Sequence, residues 1–352
     1  MEAPLYFVTH QPHTFSAYSG MGGLIHDLAG RVLSYDITWE RLQGFSWTLG
    51  YALRAWGNHC YGSAWNALIP FWDEYRLSRR IEEKREPCIV HFLWGEFASP
   101  RWPGFFRNER SKLVGGFHCS PRRWKSVLGA FRLFSNYDHI TLTSQVQVDL
   151  VLEHGVSRDN ISVIPLGVDT DYFRPALRKS AVTRPFRAIM VGETERDHEF
   201  LNQVALRMPP DRFELAVRTS EESTAFYKNN PSVKIMARFS DDDFLQFYQN
   251  ADLMIMPMLD SAANDALLES MACGTPVMVN RVGGIPEYVD ASCNYVMEDK
   301  NVDEWADVLM SLLNDRSQVE SRRMAVCQSM ERFAWKRVAM LYRALYARLL
   351  NG

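Results

Sequence analysis

Short apolar runs alternate with segments of helical period along most of the chain. LYFVTH (5–10), RVLSYDIT (31–38), CIVHFLW (88–94), LVGGFH (113–118), ITLTS (140–144) and ISVIPL (161–166) read as strands, because β-branched and aromatic residues dominate them and turn residues bound them. GLIHDLAG, SPRRWKSVLGAFRLF and SQVQVDLVLEHG, which lie between them, space their apolar residues as amphipathic helices do. This alternation predicts a parallel sheet covered by helices on both faces. After Phe173 the pattern lapses: RPALRKSAVTRPFR (174–187) carries two prolines and no apolar period, and reads as a linker. A second series follows, with strands expected at 186–192, 213–219, 233–239, 251–258 and 275–280. The tail FAWKRVAMLYRALYARLL (333–350) is amphipathic over its whole length and is expected to strap the second half back onto the first. The expected division is a first domain over 1–176, completed by 333–352, and a second over 177–332. Two similar α/β halves imply a cleft, a common place for ligands.

Composition narrows the function classes. The chain of 352 residues is 47% hydrophobic and 23% charged, as soluble globular domains are. Its net charge of −3 gives no electrostatic footprint for nucleic acid. The six cysteines fall without CxxC spacing, which disfavours zinc and suits reduced thiols. The start MEAPLYFVTHQPH has neither the basic region nor the long apolar core of a signal peptide, and no apolar run approaches the ~20 residues of a membrane span. A cytoplasmic protein is expected.

One stretch raises a chemical question. In ALLESMACGTPVMVNRVGG (266–284) the acid Glu269 interrupts the apolar face of a short helix, which Gly274 and Pro276 end before a buried strand. A buried carboxylate must find hydrogen-bond donors, or a ligand must supply them. Asn264 and Asp265 can cap that helix, and its first turn offers free amides and the positive end of the helix dipole to a phosphate. Asp265 and Glu269 stand four apart, on one helix face, where sugar hydroxyls could relieve their repulsion; a plain capping acid and a solvated glutamate are the simpler account of the two residues alone. Gly20, Gly22 and Gly23 in YSGMGGLIHDL allow close approach of a ligand, although the full GxGxxG spacing and its acidic partner are missing. His118 ends a strand, where open α/β sheets keep their ligand crevice, and a satisfied core histidine competes with that reading.

ISVIPLGVDTDYFRP (161–175), ADLMIMPM (251–258) and above all ANDALLESMACGTPVMVNRVGGIPEYV (263–289) resemble the signature of family 4 retaining glycosyltransferases. The resemblance implies the GT-B fold, in which two Rossmann-like domains face a central cleft and a C-terminal helix crosses back to the first domain. It implies that Glu269 holds the ribose of a nucleotide-sugar donor, and that Asn264, Asp265, Ala266 and Leu267 present their backbone to the donor sugar and diphosphate. Gly22 and Gly23 match the glycine turn that meets the donor phosphate, and His118 matches a histidine beside the reacting carbon. Two departures stand out. The first glutamate of the family's paired motif is replaced by Ser261, leaving Asp260 or Asp265 to take over its contact. The usual arginine and lysine of the diphosphate loop are missing from VGETERDHEF, where Glu193 and His198 stand near their places and Arg196 is the nearby cation.

The implied chemistry is retaining transfer from a nucleotide sugar to a hydroxyl acceptor. The leaving diphosphate oxygen takes the acceptor's proton, and no metal or further cofactor is called for. His118, Arg196 and Asp265 are the expected catalytic residues. Gly22, Gly23, Asn264, Ala266, Leu267 and Glu269 are the expected donor-binding set, with His13 and Glu96 on the acceptor side. Saccharides, lipid-linked sugars and small molecules all remain open as acceptors. A sugar-nucleotide epimerase of the same fold, a non-catalytic nucleotide-sugar-binding protein and an NAD-dependent dehydrogenase are the competing functions, and the imperfect glycine turn weighs against the last. Trp124, Val127, Leu128 and Phe131, flanked by basic residues, form a helical stripe that either packs on the sheet or touches an anionic membrane peripherally.

Overall fold

Strands that are apolar on both faces find their place in parallel sheets with helices above and below. The structure, a computed structural model, describes residues 4–9, 18–28, 31–34, 79, 86–97, 109–127, 134–176, 184–237 and 239–351. It has two such sheets, in two compact units. Met1–Phe15, Leu24–Pro165 and Lys336–Gly352 group as the first unit, and Ser16–Gly23 with Leu166–Trp335 as the second. Residues 177–183 of the expected linker lie outside the described residues.

The sheet of the first unit contains β1 (Leu5–Thr9), β2 (Arg31–Ser34), β3 (Cys88–Phe92), β4 (Ser111–Phe117), β5 (His139–Leu142) and β6 (Ile161–Val163). Their order is β2-β1-β3-β4-β5-β6, and every pairing is parallel. Phe117 anchors its core, meeting Trp124 edge-on at 5.8 Å and Phe134 at 4.9 Å between ring centroids. Trp124, in the Pro121–Val127 helix, is fully buried and packs in the core of this sheet. Leu128 and Phe131 lie outside the described residues. The Trp335–Asn351 helix joins this unit from Lys336 onward, and Tyr346 reaches the buried ring of His91 at 2.7 Å.

The second sheet contains β7 (Phe186–Val191), β8 (Phe213–Arg218), β9 (Val233–Ile235), β10 (Leu253–Met256), β11 (Val277–Asn280) and β12 (Tyr295–Met297), in the parallel order β12-β11-β10-β7-β8-β9. Counted within the unit this is the doubly wound order 3-2-1-4-5-6, whose ligand crevice opens at the carboxyl ends of the strands where the order reverses, here β7 and β10. The sequence pattern did not anticipate β12. It is a half-buried edge strand of three residues between Asn294 and Glu298, too short to show an alternation. Among the described residues, no helix is long and apolar enough to cross a membrane, and Cys88, Cys119, Cys273, Cys293 and Cys327 are free thiols.

Candidate functional site

The Asp265–Ala272 helix follows β10 and stands at the reversal of strand order. Asn264 caps it in extended geometry, its side-chain oxygen accepting from the Leu267 amide at 3.3 Å. The other end closes as a Schellman motif: Gly274, at φ +71°, donates to Met271, and Thr275 donates to Ser270. Ala266 through Ala272 are all buried, so the helix is fixed by packing on every side but its tip. Of its first amides, Leu267's is taken by the Asn264 side chain and Leu268's by the Asn264 carbonyl. The Ala266 amide lies where no intrahelical carbonyl reaches it.

Glu269 is 4% exposed, and both of its carboxylate oxygens find hydroxyl donors. Ser19 donates to Oε1 at 2.5 Å and Tyr248 donates to Oε2 at 2.7 Å. Burial and then the Asp265 charge push its pKa up to about 7, against the pull of the two hydroxyls and of Arg196. Burial also raises the Tyr248 phenol well above its usual range, which keeps it a donor. Each carboxylate oxygen has a second lone-pair position, so the group can accept further hydroxyls. Ser19 and Tyr248 were missed as site residues because they stand 250 and 21 positions from Glu269. Ser19 nonetheless belongs to the glycine-bearing segment YSGMGG, which drew attention for its backbone alone.

Arg196 sits in the loop after β7. Its guanidinium donates to the carbonyls of Thr194 at 2.5 Å and Val191 at 3.3 Å, and to the Asn264 side chain at 3.3 Å. Gly192, at φ +96°, makes room for it: a Cβ there would lie 2.6 Å from Nη2. The only cation expected in this loop is therefore tied to the cap of the Asp265–Ala272 helix. Glu193 is exposed. His198 is buried, bonds Tyr227 at 2.9 Å and has its pKa lowered, chiefly by burial, so it stays neutral and cannot replace a lysine. Lys300 pairs with Asp197 beside this loop, a second cation that no local pattern could place because it lies 103 positions away.

Ser261 is buried in a tight turn. Its carbonyl accepts from Gly284 at 2.7 Å, and Gly283 approaches so closely, at φ +51°, that a Cβ would lie 2.2 Å from that carbonyl. Asp260 accepts from the Ser261 amide at 2.8 Å. Asp265 is half-buried at the helix start.

Gly22 and Gly23 open the Gly22–Leu28 helix, and both are half-buried. The smallness of Gly23 has an internal cause, since a Cβ there would lie 2.1 Å from Cδ1 of the buried Trp335. Gly23→Ala is thus expected to destabilise the protein by about 1–3 kcal/mol through overpacking, read as a lower melting temperature. An unchanged melting temperature would mean that the indole yields.

In the first unit, His118 follows β4 and Glu96 follows β3. His118 donates from Nε2 to the Leu93 carbonyl at 2.7 Å and lies against Trp94 at 4.2 Å between ring centroids. Glu96 is 5% exposed, and its Oε1 accepts the amides of His118 at 2.7 Å and Cys119 at 2.9 Å. His13 lies outside the described residues. Among the described residues, no group of three or more His, Cys, Asp or Glu could hold a metal ion.

Comparison with known proteins places the chain among glycosyltransferases. The profile described as Glycosyl transferases group 1 matches residues 181–329, and that described as Glycosyltransferase Family 4 matches residues 39–172. A D-inositol 3-phosphate glycosyltransferase of Paenarthrobacter aurescens is 25% identical over 268 residues, covering 68% of this chain and 64% of the relative. An MMP alpha-(1->4)-mannosyltransferase of Mycolicibacterium hassiacum is 29% identical over 233 residues, covering 60% and 54%. The matches thus span less than two thirds of the length of these relatives. Among solved structures, a glycosyltransferase from Rickettsia africae superposes with a TM-score of 0.70 at 16% identity, over 100% of this chain and 99% of that one. HepE of Anabaena, in complex with UDP and glucose, gives a TM-score of 0.70 at 14% identity, over 98% and 100%.

Proposed function

This chain belongs to glycosyltransferase family 4, and on that premise we propose that it moves a sugar from a nucleotide-sugar donor to a hydroxyl acceptor with retention at the anomeric carbon. The observation that carries the proposal is Glu269, a carboxylate buried at the reversal point of a doubly wound sheet and held ready by Ser19 and Tyr248. Ribose hydroxyls donate to its remaining lone pairs. The donor diphosphate rests at the helix tip, on the Ala266 amide and the positive end of the dipole, with Arg196 alongside.

The reaction needs no enzymic nucleophile in this reading. The bond from the anomeric carbon to the diphosphate oxygen breaks, the acceptor oxygen bonds to the same face, and its proton passes to the departing phosphate oxygen. Arg196 and the helix start then stabilise the charge that grows on that phosphate. His118, its Nε2–H committed to Leu93, keeps Nδ1 for a sugar hydroxyl. No metal ion is required, and the protein works in the cytoplasm.

A panel of nucleotide sugars tested by thermal shift reads the donor directly, because a ligand bound only by the folded state raises its stability. At least one is expected to raise the melting temperature, and its product with a hydroxyl acceptor is expected to keep the donor's anomeric configuration by NMR. Isomerised donor in the absence of acceptor would favour an epimerase, and binding without turnover over a broad acceptor panel would favour a binding protein.

A further inference from the structure

The Trp335–Asn351 helix has two unlike faces. Val338, Ala339, Tyr342, Leu345 and Tyr346 are buried, and Tyr346 bonds the buried His91 ring, so one side fixes the helix to its unit. The other side carries the cations. The helix, WKRVAMLYRALYARLLN, has four Lys or Arg and no Asp or Glu, in a chain with 42 acidic residues against 39 basic ones. Met340, 57% exposed, and Leu341, 48% exposed, stand among these cations.

At about 100° per residue, Met340, Ala344 and Ala347 form the midline of the outer face. Lys336 and Arg343 fall on one side of it, with Arg337, Leu341 and Arg348 on the other, and all of them are exposed. Arg343 donates to the Asp27 backbone carbonyl at 2.6 Å and Arg348 to the Ser162 hydroxyl at 3.3 Å. Both acceptors are neutral, so these bonds cancel neither charge. A helix face that meets only water commonly pairs its cations with acids one turn away, and this helix has no acid to offer. A second copy of the chain is a poor occupant, because a two-fold contact would set the same basic rows against each other. An anionic lipid surface suits both features. Its phosphates draw the two cation rows, whose long stems let the apolar side chains between them reach the acyl boundary.

We propose that the outer face of the Trp335–Asn351 helix docks the protein peripherally on an anionic membrane, its four cations meeting lipid headgroups while Met340 and Leu341 enter the boundary between them. This face is distinct from the stripe expected around Trp124, whose indole is buried. The docking goes beyond the transferase reading and stands or falls apart from it, since nucleotide binding at Glu269 neither requires nor supplies it.

Flotation of the full chain with vesicles of phosphatidylcholine alone, and of an equal mixture with phosphatidylglycerol, tests the proposal. Binding to the mixed vesicles is expected to be tighter by about tenfold or more, and to be lost in molar salt, where screening shortens to about 3 Å. Met340→Asp combined with Leu341→Asp is expected to weaken it by about tenfold or more at an unchanged melting temperature. Met324→Asp, at a position 66% exposed on the Arg323–Ser329 helix of the other unit, should leave it unchanged. Should the aspartate pair not fold, Arg337→Gln decides: about fivefold weaker binding supports the proposal, and unchanged binding overturns it. Absence of flotation, equal flotation with both kinds of vesicle, or affinity indifferent to the aspartate pair also overturns it. Self-association that the aspartate pair abolishes, without flotation, would overturn it and assign the face to a second copy.

Discussion

Exchanging Glu269 for glutamine is expected to weaken nucleotide binding by about ten- to a hundredfold while making the ligand-free protein more stable at neutral pH. Both effects have one origin. The carboxylate is buried beside Asp265, and its pKa rises from 4.5 to about 7 in the folded state. A raised acid holds its proton more tightly when folded than when unfolded. Its stabilising contribution is therefore complete below pH 4.5 and is lost as pH climbs to about 7. Glutamine never ionises, so the two proteins should unfold alike in acid and diverge by about 3 kcal/mol between those limits, the variant being the more stable. Ribose hydroxyls donate to the ionised form, so nucleotide affinity of the wild-type protein should rise with pH up to about 7 and level off above it. Urea denaturation at several pH values, with titration calorimetry alongside, checks both slopes. Parallel stability curves for the two proteins would show that folding leaves the Glu269 pKa at its unfolded value, against the account.

Arg196→Ala is expected to lower kcat about a hundredfold, with a smaller loss of donor affinity. Charge on the leaving diphosphate is greatest in the transition state, so a cation that meets it there acts mainly on kcat. Arg196→Lys should recover little, because the guanidinium reaches the Thr194 and Val191 carbonyls and Asn264 together, which one ammonium cannot do. Steady-state kinetics with the donor found by thermal shift measures the split. A kcat within about threefold of wild type would move the cationic role elsewhere, with Lys300 beside Asp197 the next candidate.

What the sequence disclosed follows from how local each feature is. The apolar runs marked eleven of the twelve strands in these two sheets, because a continuous apolar run between turn residues needs no partner to be recognised. Strand β12, short and half-buried at an edge, carries no such mark. Gly274 announced the end of its helix, since a Schellman turn needs its positive φ. Gly23 was legible as a constraint, but one of its causes was not: the indole of Trp335 fills the space a side chain would need. The donors to Glu269 were beyond local reading. An isolated acid in an apolar run states that a partner is needed, but only the fold says that Ser19 and Tyr248 supply it. The same holds for Glu96, whose two amide partners lie more than twenty residues downstream.

The central claim is that the Glu269 carboxylate recognises the ribose of a nucleotide. Titration calorimetry of the best-bound nucleoside diphosphate against its 2′,3′-dideoxy analogue, on the wild-type protein and on E269Q, tests it most directly. The wild-type protein should prefer the ribonucleotide by about tenfold or more, and the preference should vanish in the variant. Equal affinity of the wild-type protein for both nucleotides would contradict the account.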